Sequence, residues 1–309
     1  MTPAFDVLVI GGGPAGLTAA MALGRMGRST LICDDARPRN AAAVHINNLP
    51  AQDGVSPAVW RRQVMKELGK YPTVDFQQDA VLSVTHEGSR FRGEFGAREA
   101  AQFRKVILAY GVIDVLPSLP GFRELWGTAL FHCPYCHGFE VRDRRLGLIA
   151  NGPRAEHLLA MIHSLAKDVV LFTDGQAELT DEFRRHLENN NLRLVEGRIK
   201  WLAREGAELR AVVLESGEVF ERDFLFLAPA TPFRGKSQVG EHLGCKTNEG
   251  GFYDVSKIGE TSVEGVFAAG DIVSGHHSVL GAAATGQLAA AGVVSQLVME
   301  DLARNSQPK

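Results

Sequence analysis

Asp6-Val7-Leu8-Val9-Ile10-Gly11-Gly12-Gly13-Pro14-Ala15-Gly16 is the stretch on which the fold turns. An unbroken apolar run ends in glycines, as a strand buried on both faces does. Residues 16–27 are Ala/Leu-rich with helical spacing, and residues 30–33 are a second apolar run. Strand, Gly-rich turn, helix, strand is a βαβ unit of a parallel sheet. In that turn Gly11 permits the tight bend, Gly13 lets the backbone approach a pyrophosphate, and Gly16 lets helix and strand pack closely. Pro14 and Ala15 open the helix, whose N-terminus offers unpaired N–H groups and a positive dipole end to phosphates. Asp34 ends the next strand, placed to accept from a ribose hydroxyl. A Gly-rich structural turn would need none of this company.

Working outward, the chain of 309 residues is long for one domain and comfortable for two. Its 45% hydrophobic and 22% charged residues are those of an ordinary globular protein, and a net charge of −3 gives no basic footprint for nucleic acid. The apolar runs are broken by Gly and charge, and none reaches the roughly 18 residues of a membrane span. Met-Thr-Pro-Ala-Phe-Asp runs straight into the first strand, leaving no room for a signal peptide. A cytoplasmic chain is expected. A polar loop follows at residues 37–56, then a helix at 57–68, with strands near 80–85 and 105–109. A Pro-rich stretch at 115–121 punctuates the chain. Beyond it the pattern repeats: strand 146–150, helix 154–166, strand 168–172. Residues 223–227 form a strand leading into a return linker at 229–235. The C-terminal part carries a strand at 265–269 and a long helix from about 278 to 302.

Four cysteines, only two of them close, do not make a secreted disulfide framework. The close pair lies in Phe131-His132-Cys133-Pro134-Tyr135-Cys136-His137-Gly138. Two cysteines at this spacing can close a disulfide, and the motif lowers one thiol's pKa so that a thiolate attacks at neutral pH. Other readings compete. Cys-x-x-Cys-His formally matches c-type haem attachment, which demands export. His-Cys-x-x-Cys-His could hold zinc, but no second ligand cluster stands at finger-like spacing, so no metal is expected. Cys-Pro-Tyr-Cys also occurs in glutaredoxins, which are small single domains. Cys33 and Cys245 stand alone and read as packing residues.

A downstream stretch, Thr261-Ser-Val-Glu-Gly265-Val-Phe-Ala-Ala-Gly270-Asp271, resembles the second FAD motif of the pyridine nucleotide–disulfide oxidoreductases. Motif order over essentially the whole chain (Gly-rich turn, CxxC, second βαβ unit, Gly-Asp, C-terminal helix) resembles the low-molecular-weight thioredoxin reductases. The resemblance implies an α/β fold of two Rossmann-like nucleotide-binding domains. An FAD domain would span residues 1–113 and 246–309, and an inserted domain carrying the CxxC would span 114–245. It implies FAD, with Asp271 on the ribitol and the following helix aimed at the flavin, its small residues 281–286 allowing close approach. It also places Arg39, Asn40, Asn48, Val81, Gly111, Gly270, His277 and Val279 around the cofactor. Cys136 would face the flavin and Cys133 would exchange with substrate, a small-molecule dithiol or disulfide or a thioredoxin-like protein. A homodimer is implied as well.

The departures carry information. Where thioredoxin reductases have an acid after the second cysteine, this chain has His137, able to do acid–base work near pH 7. A histidine there resembles the gliotoxin-type dithiol oxidases. His132 reads as structural. His276 and His277 replace an Arg-Gln and are candidates for flavin contact. In the second unit, Ala150-Asn151-Gly152-Pro153-Arg154-Ala155 stands where the NADPH-binding GxGxxA belongs, with alanine at the first glycine. Asp174-Gly175 replaces the arginines that hold the 2′-phosphate, and Arg184 and Arg185 lie on a later helix. The expected function is an FAD-dependent thiol–disulfide oxidoreductase working through Cys133, Cys136 and His137 without NADPH. Ferredoxin, NADH, another donor, or O2 would be the electron partner; a dithiol oxidase using O2 or an NAD(P)H-dependent disulfide reductase is the alternative enzyme, and a flavin-binding redox sensor is the non-enzyme alternative.

Overall fold

The computed structural model describes residues 2–228 and 233–306, so positions 229–232 of the expected return linker lie outside the described residues. The chain forms two compact units: Met1–Arg39, Ala58–Ile113 and Gly235–Lys309 make the first, Asn40–Pro57 and Asp114–Arg234 the second.

In the first unit the opening strand is β1, Ala4–Ile10, followed by helix α1, Pro14–Arg25, and strand β2, Thr30–Cys33. β1 pairs in parallel with β2, Val7 opposite Thr30, and on its other side with Ala101–Leu108, Val7 opposite Lys105. Val74–Gln77 adds a parallel strand beyond β2. Ala101–Leu108 receives two neighbours on its far edge, antiparallel Arg90–Phe95 near its start and parallel Val266–Ala268 near its end. Burial on both faces explains why Val7, Leu8 and Val9 read as a continuous apolar run rather than an alternating one. α1 starts on proline, which lacks the amide that a helix start leaves unpaired anyway.

The C-terminal helix, Val279–Asn305, lies on α1. Ala19, Ala20 and Leu23 share one core with Ala289, Ala290, Val293 and Leu297. At its far end Glu300 and Asp301 take the guanidinium of Arg104, which also bonds Asp6. This helix corrects the expectation that no segment reaches membrane-spanning length. Its 27 residues, with a mean hydropathy of 1.3 over the most apolar window, are long and apolar enough by length and composition. The broken apolar runs hid this because the Ala, Val and Leu that carry the hydropathy are interrupted by Gly, Thr, Gln and Ser.

The second unit holds a five-stranded parallel sheet in the order Arg193–Val195, Val169–Phe172, Leu146–Ala150, Phe224–Ala228, Leu130–Phe131. Pro153–His163 packs on it through Ala155, Leu159 and Ile162. A three-stranded antiparallel meander, Ile199–Glu205, Glu208–Leu214 and Val219–Glu221, completes the unit and was not foreseen.

The expected domain limits differ from these units at two places. Residues 235–245 sit with the first unit, because Gly240 packs so closely on Tyr253 that a Cβ would press on its ring and on Leu108. Residues 40–57 sit with the second. There the Asn47 side chain donates to the Cys136 carbonyl at 2.9 Å, and Gly127 packs on Ala42.

Candidate active site: a nucleotide cradle and a dithiol turn

Three of the four glycines of the first turn are glycines for different reasons. Gly11 has φ +107°, and a Cβ there would collide with the Ala109 carbonyl. A Cβ on Gly16 would collide with the Gly11 carbonyl, so the helix could not seat on its strand. Gly13 has an ordinary φ of −78°, and nothing lies within 4 Å of where its Cβ would be. Neither strain nor a protein neighbour requires glycine at 13; the open space before it is what dinucleotide phosphates need. Gly13→Trp should therefore fold yet lose its yellow colour. Visible absorbance per chain measures this, and full FAD content in that variant would remove the assignment.

Asp34 is nearly buried and held from three sides. Its carboxylate accepts from the Gly12 N–H at 2.6 Å, the Ala36 N–H at 2.9 Å and Arg61 Nη2 at 2.7 Å. A carboxylate has about four lone-pair positions, so one is left for a ribose hydroxyl. Arg61 also donates to the Gly12 carbonyl and clamps the turn. Sequence reading missed it, since nothing local marks a residue of the helix Pro57–Leu68 as a partner of residue 34.

Across the same unit Arg39 Nη1 reaches Asp271 Oδ2 at 2.9 Å and His277 Nδ1 at 2.7 Å. Nδ1 is then the acceptor, leaving the imidazole proton on Nε2. Three expected cofactor residues are thus one hydrogen-bonded group. Gly270 has φ +82° and donates its N–H to Thr285 Oγ1 at 2.9 Å, tying the Gly-Asp turn to the C-terminal helix. Val81, Gly111 and Val279 lie in this unit, whereas Asn40 and Asn48 belong to the second. The small residues expected to admit the flavin answer in part to another need: a Cβ on Gly286 would collide with the Ala15 carbonyl.

In the second unit Cys133 and Cys136 form a disulfide with Cα atoms 5.3 Å apart. Cys133 caps the short helix Pro134–His137, and the Cys136 N–H donates to Cys133 Sγ at 3.2 Å. A donor on that sulfur favours Cys133 as the thiolate once the disulfide opens, which suits exchange with substrate. His137 stacks flat on Phe131, centroids 4.1 Å apart at 12°. Its Nδ1 is buried and lacks a hydrogen-bond partner. Burial pushes the imidazole below the ordinary histidine range, against the pull of the Glu140 carboxylate. At neutral pH it is the uncharged base, more tuned than the sequence implied. His132 stacks on Trp126, with ring centroids 5.8 Å apart. Cys33 and Cys245 are buried, and burial pushes the Cys33 thiol up to about 12, so neither competes as a nucleophile.

Replacing His137 by alanine should slow turnover by about 10²-fold if it carries the proton. Stability supplies a second readout. The folded pKa lies below the ordinary value of 6.5, so the unfolded chain binds the proton first on acidification. His137 therefore contributes stability that is intact above pH 6.5 and is lost as pH falls through the folded pKa. Urea midpoints of the wild type should drop more steeply than those of His137→Ala below that pH. Parallel slopes with unchanged turnover would make it a bystander.

The second unit's nucleotide turn is closed by its own chain. Asn151 Oδ1 accepts from the Gly152 N–H at 2.9 Å and the Glu178 N–H at 2.8 Å, while its Nδ2 donates to the Gln176 carbonyl at 2.9 Å. The amide that would face a pyrophosphate is thus taken, and the following loop is tethered to the turn. Glu156 occupies the first turn of the helix, where a carboxylate repels phosphate, and accepts from Thr180 Oγ1 at 3.0 Å. Asp174, at φ +50°, accepts from the Ile199 N–H. Arg184 is spent on the Ala177 carbonyl. One guanidinium, Arg198, does lie against Gly175.

Two dinucleotide-type sheets in one chain, the second unit bearing a CxxC disulfide, are the build of a disulfide oxidoreductase. The chain belongs to the pyridine nucleotide-disulphide oxidoreductase family, whose profile matches residues 5–289. It is 35% identical to thioredoxin reductase aclD of Aspergillus oryzae over 98% of this chain and 99% of that protein. It is equally 35% identical to thioredoxin reductase sirT of Leptosphaeria maculans over 98% and 97%. The crystal structure of HlmI superposes with a TM-score of 0.93 at 35% identity, covering 99% of this chain and 96% of that one. An oxidoreductase from Agrobacterium tumefaciens superposes with a TM-score of 0.89 at 32% identity, covering 97% and 99%. This is a thioredoxin reductase-like oxidoreductase, an enzyme of an FAD-binding family.

Proposed function

We propose that the enzyme passes two electrons between a thiol substrate and flavin through Cys133 and Cys136, without NADPH. The observation that carries this is the contrast inside the second unit: a complete dithiol turn beside a nucleotide turn latched by Asn151. In the dithiol direction, a substrate thiolate attacks Cys133 Sγ, the bond between the two cysteines breaks, and Cys136 leaves as thiolate. His137 takes the proton of the second substrate thiol, which attacks its own partner sulfur and releases Cys133. The substrate leaves as a disulfide, and two electrons and the protons stay with the enzyme. Flavin held by the Gly11–Gly16 cradle, Asp34 and the Arg39–Asp271–His277 group supplies the two-electron store that the pair fills or draws on. Read backwards, the same steps reduce a disulfide.

Small-molecule dithiols and thioredoxin-like proteins are both substrates this chemistry accepts, with oxygen or a protein donor such as ferredoxin as electron partner. The setting is a cytoplasmic homodimer. Leu280, Leu288, Val298, Met299 and Leu302 form an exposed apolar stripe on the C-terminal helix that a second copy would cover. Anaerobic titration of the flavin with dithiols, NADH, NADPH and reduced ferredoxin tests the proposal. Bleaching by dithiols but not by NADPH supports it, and rapid turnover with dithiol in air assigns the oxidase direction. Reduced flavin stable to air but formed by ferredoxin assigns the reductase direction.

A further inference from the structure

An open cleft of about 470 Å³ lies within the second unit beside the dithiol turn. Residues 47–53 contribute Leu49, Pro50 and Asp53, and the dithiol turn contributes Tyr135, Phe139 and Glu140. The volume falls in the range of small-molecule sites. Tyr135 and Phe139 are 75% and 68% exposed. Exposed aromatic rings of that size beside reactive groups mark recognition surfaces, because each withholds apolar area from the core. Tyr135 stands between the two cysteines in the chain, which sets the cleft next to the redox turn, although neither cysteine is in its lining. Asn47, also in the lining, donates to the Cys136 carbonyl at 2.9 Å and fixes the cleft to the redox turn.

Charge narrows the occupant. The two ionisable carboxyl groups of the lining are Asp53 and Glu140, and no lining residue is basic. Asp53 accepts from the Asn48 N–H at 2.6 Å, which uses one of its several acceptor positions. The neighbouring cation is Arg142, stacked over the Phe139 ring at 3.8 Å from its centroid and outside the lining.

We propose that this cleft binds the body of the substrate, and that the substrate is a small dithiol with a flat apolar body bearing an amine or no charge. Carboxylate-bearing thiols are disfavoured by Asp53 and Glu140. Tyr135 and Phe139 set the preference for a flat body. This inference rests on the dithiol-to-flavin reading above and deepens it.

Anaerobic flavin bleaching of the holoenzyme by four probes separates the two. The probes are dithiothreitol, benzene-1,2-dimethanethiol, and the latter's ring-substituted aminomethyl and carboxylate derivatives. The neutral aryl dithiol should exceed dithiothreitol by about tenfold in kcat/KM, the scale of ring stacking added to area burial. The amine should exceed the carboxylate by about tenfold at low salt, shrinking as salt screens the pair. Tyr135→Ser with Phe139→Ser should bring the aryl-to-dithiothreitol ratio near one, and Asp53→Asn with Glu140→Gln should do so for the amine-to-carboxylate ratio. Ratios within one enzyme cancel any effect of Glu140 on His137. If dithiothreitol fails to bleach the flavin, the dithiol reading itself fails. If dithiothreitol bleaches it but both ratios are flat and salt-independent in the wild type, the cleft assignment is overturned. Bleaching by a reduced thioredoxin-fold protein and by none of the aryl probes overturns it too.

Discussion

Cys136→Ser should retain FAD and lose dithiol-driven turnover by about 10³-fold or more, because a covalent step loses one of its two atoms. The loss should not be repaired by high substrate, since without Cys136 the enzyme has no disulfide for a substrate thiolate to open and so no place to take the two electrons. The partner variant should look different. In Cys133→Ser the remaining thiolate is the one assigned to face the flavin, and a long-wavelength charge-transfer band is expected. The donor on Cys133 Sγ, the Cys136 amide at 3.2 Å, supports this division by favouring charge on the outer sulfur. Absorbance spectra of the two variants read the assignment directly. A band in Cys136→Ser and none in Cys133→Ser would exchange the two roles.

NADPH should bleach the flavin slowly or not at all, and NADH should do no worse. The 2′-phosphate carries nearly two negative charges, and the arginine pair that holds it is replaced by Asp174 and Gly175. Two charge-assisted contacts at roughly 1.5–3 kcal/mol each amount to about two to four orders of magnitude in affinity. Arg198, which lies against Gly175, can remake one contact, so the lower part of that range is expected. The latch acts on both nucleotides, because the Gly152 amide that would meet the pyrophosphate donates to Asn151 Oδ1 instead. Asn151→Gly with Asp174→Arg should raise NADPH-driven bleaching by about tenfold or more over the wild type. Stopped-flow absorbance checks it. No gain in the double variant together with a fast wild-type reaction would show the second turn to be competent as it stands.

What was legible in the sequence was what local pattern controls. The run Val7–Ile10 with its glycines fixed a βαβ unit, and the apolar and helical periods placed the helix Pro57–Leu68 and the strand Leu146–Ala150 at their observed limits. The cysteine pair and its histidine were legible because their spacing is itself the chemistry. What escaped was held by partners distant in sequence. Arg61 reaches Asp34 across 27 positions and Asn47 reaches Cys136 across 89, and neither residue type announces such a bond. Ala150 pointed to a weakened turn, but the latch closes on carbonyl and amide groups of residues 176 and 178, which no motif encodes. The polar loop at 37–56 carried little apolar signal, yet it builds part of the dithiol unit. His137 was read with an ordinary pKa because its burial on Phe131 is a tertiary fact.

Anaerobic rapid mixing of the oxidised holoenzyme with a substrate dithiol and, separately, with NADPH tests the electron route most directly, with flavin absorbance as the readout. Full bleaching by the dithiol, abolished in Cys136→Ser, with little or no bleaching by micromolar NADPH is the expected result. Bleaching by micromolar NADPH at hundreds per second, with dithiols inert, would contradict it.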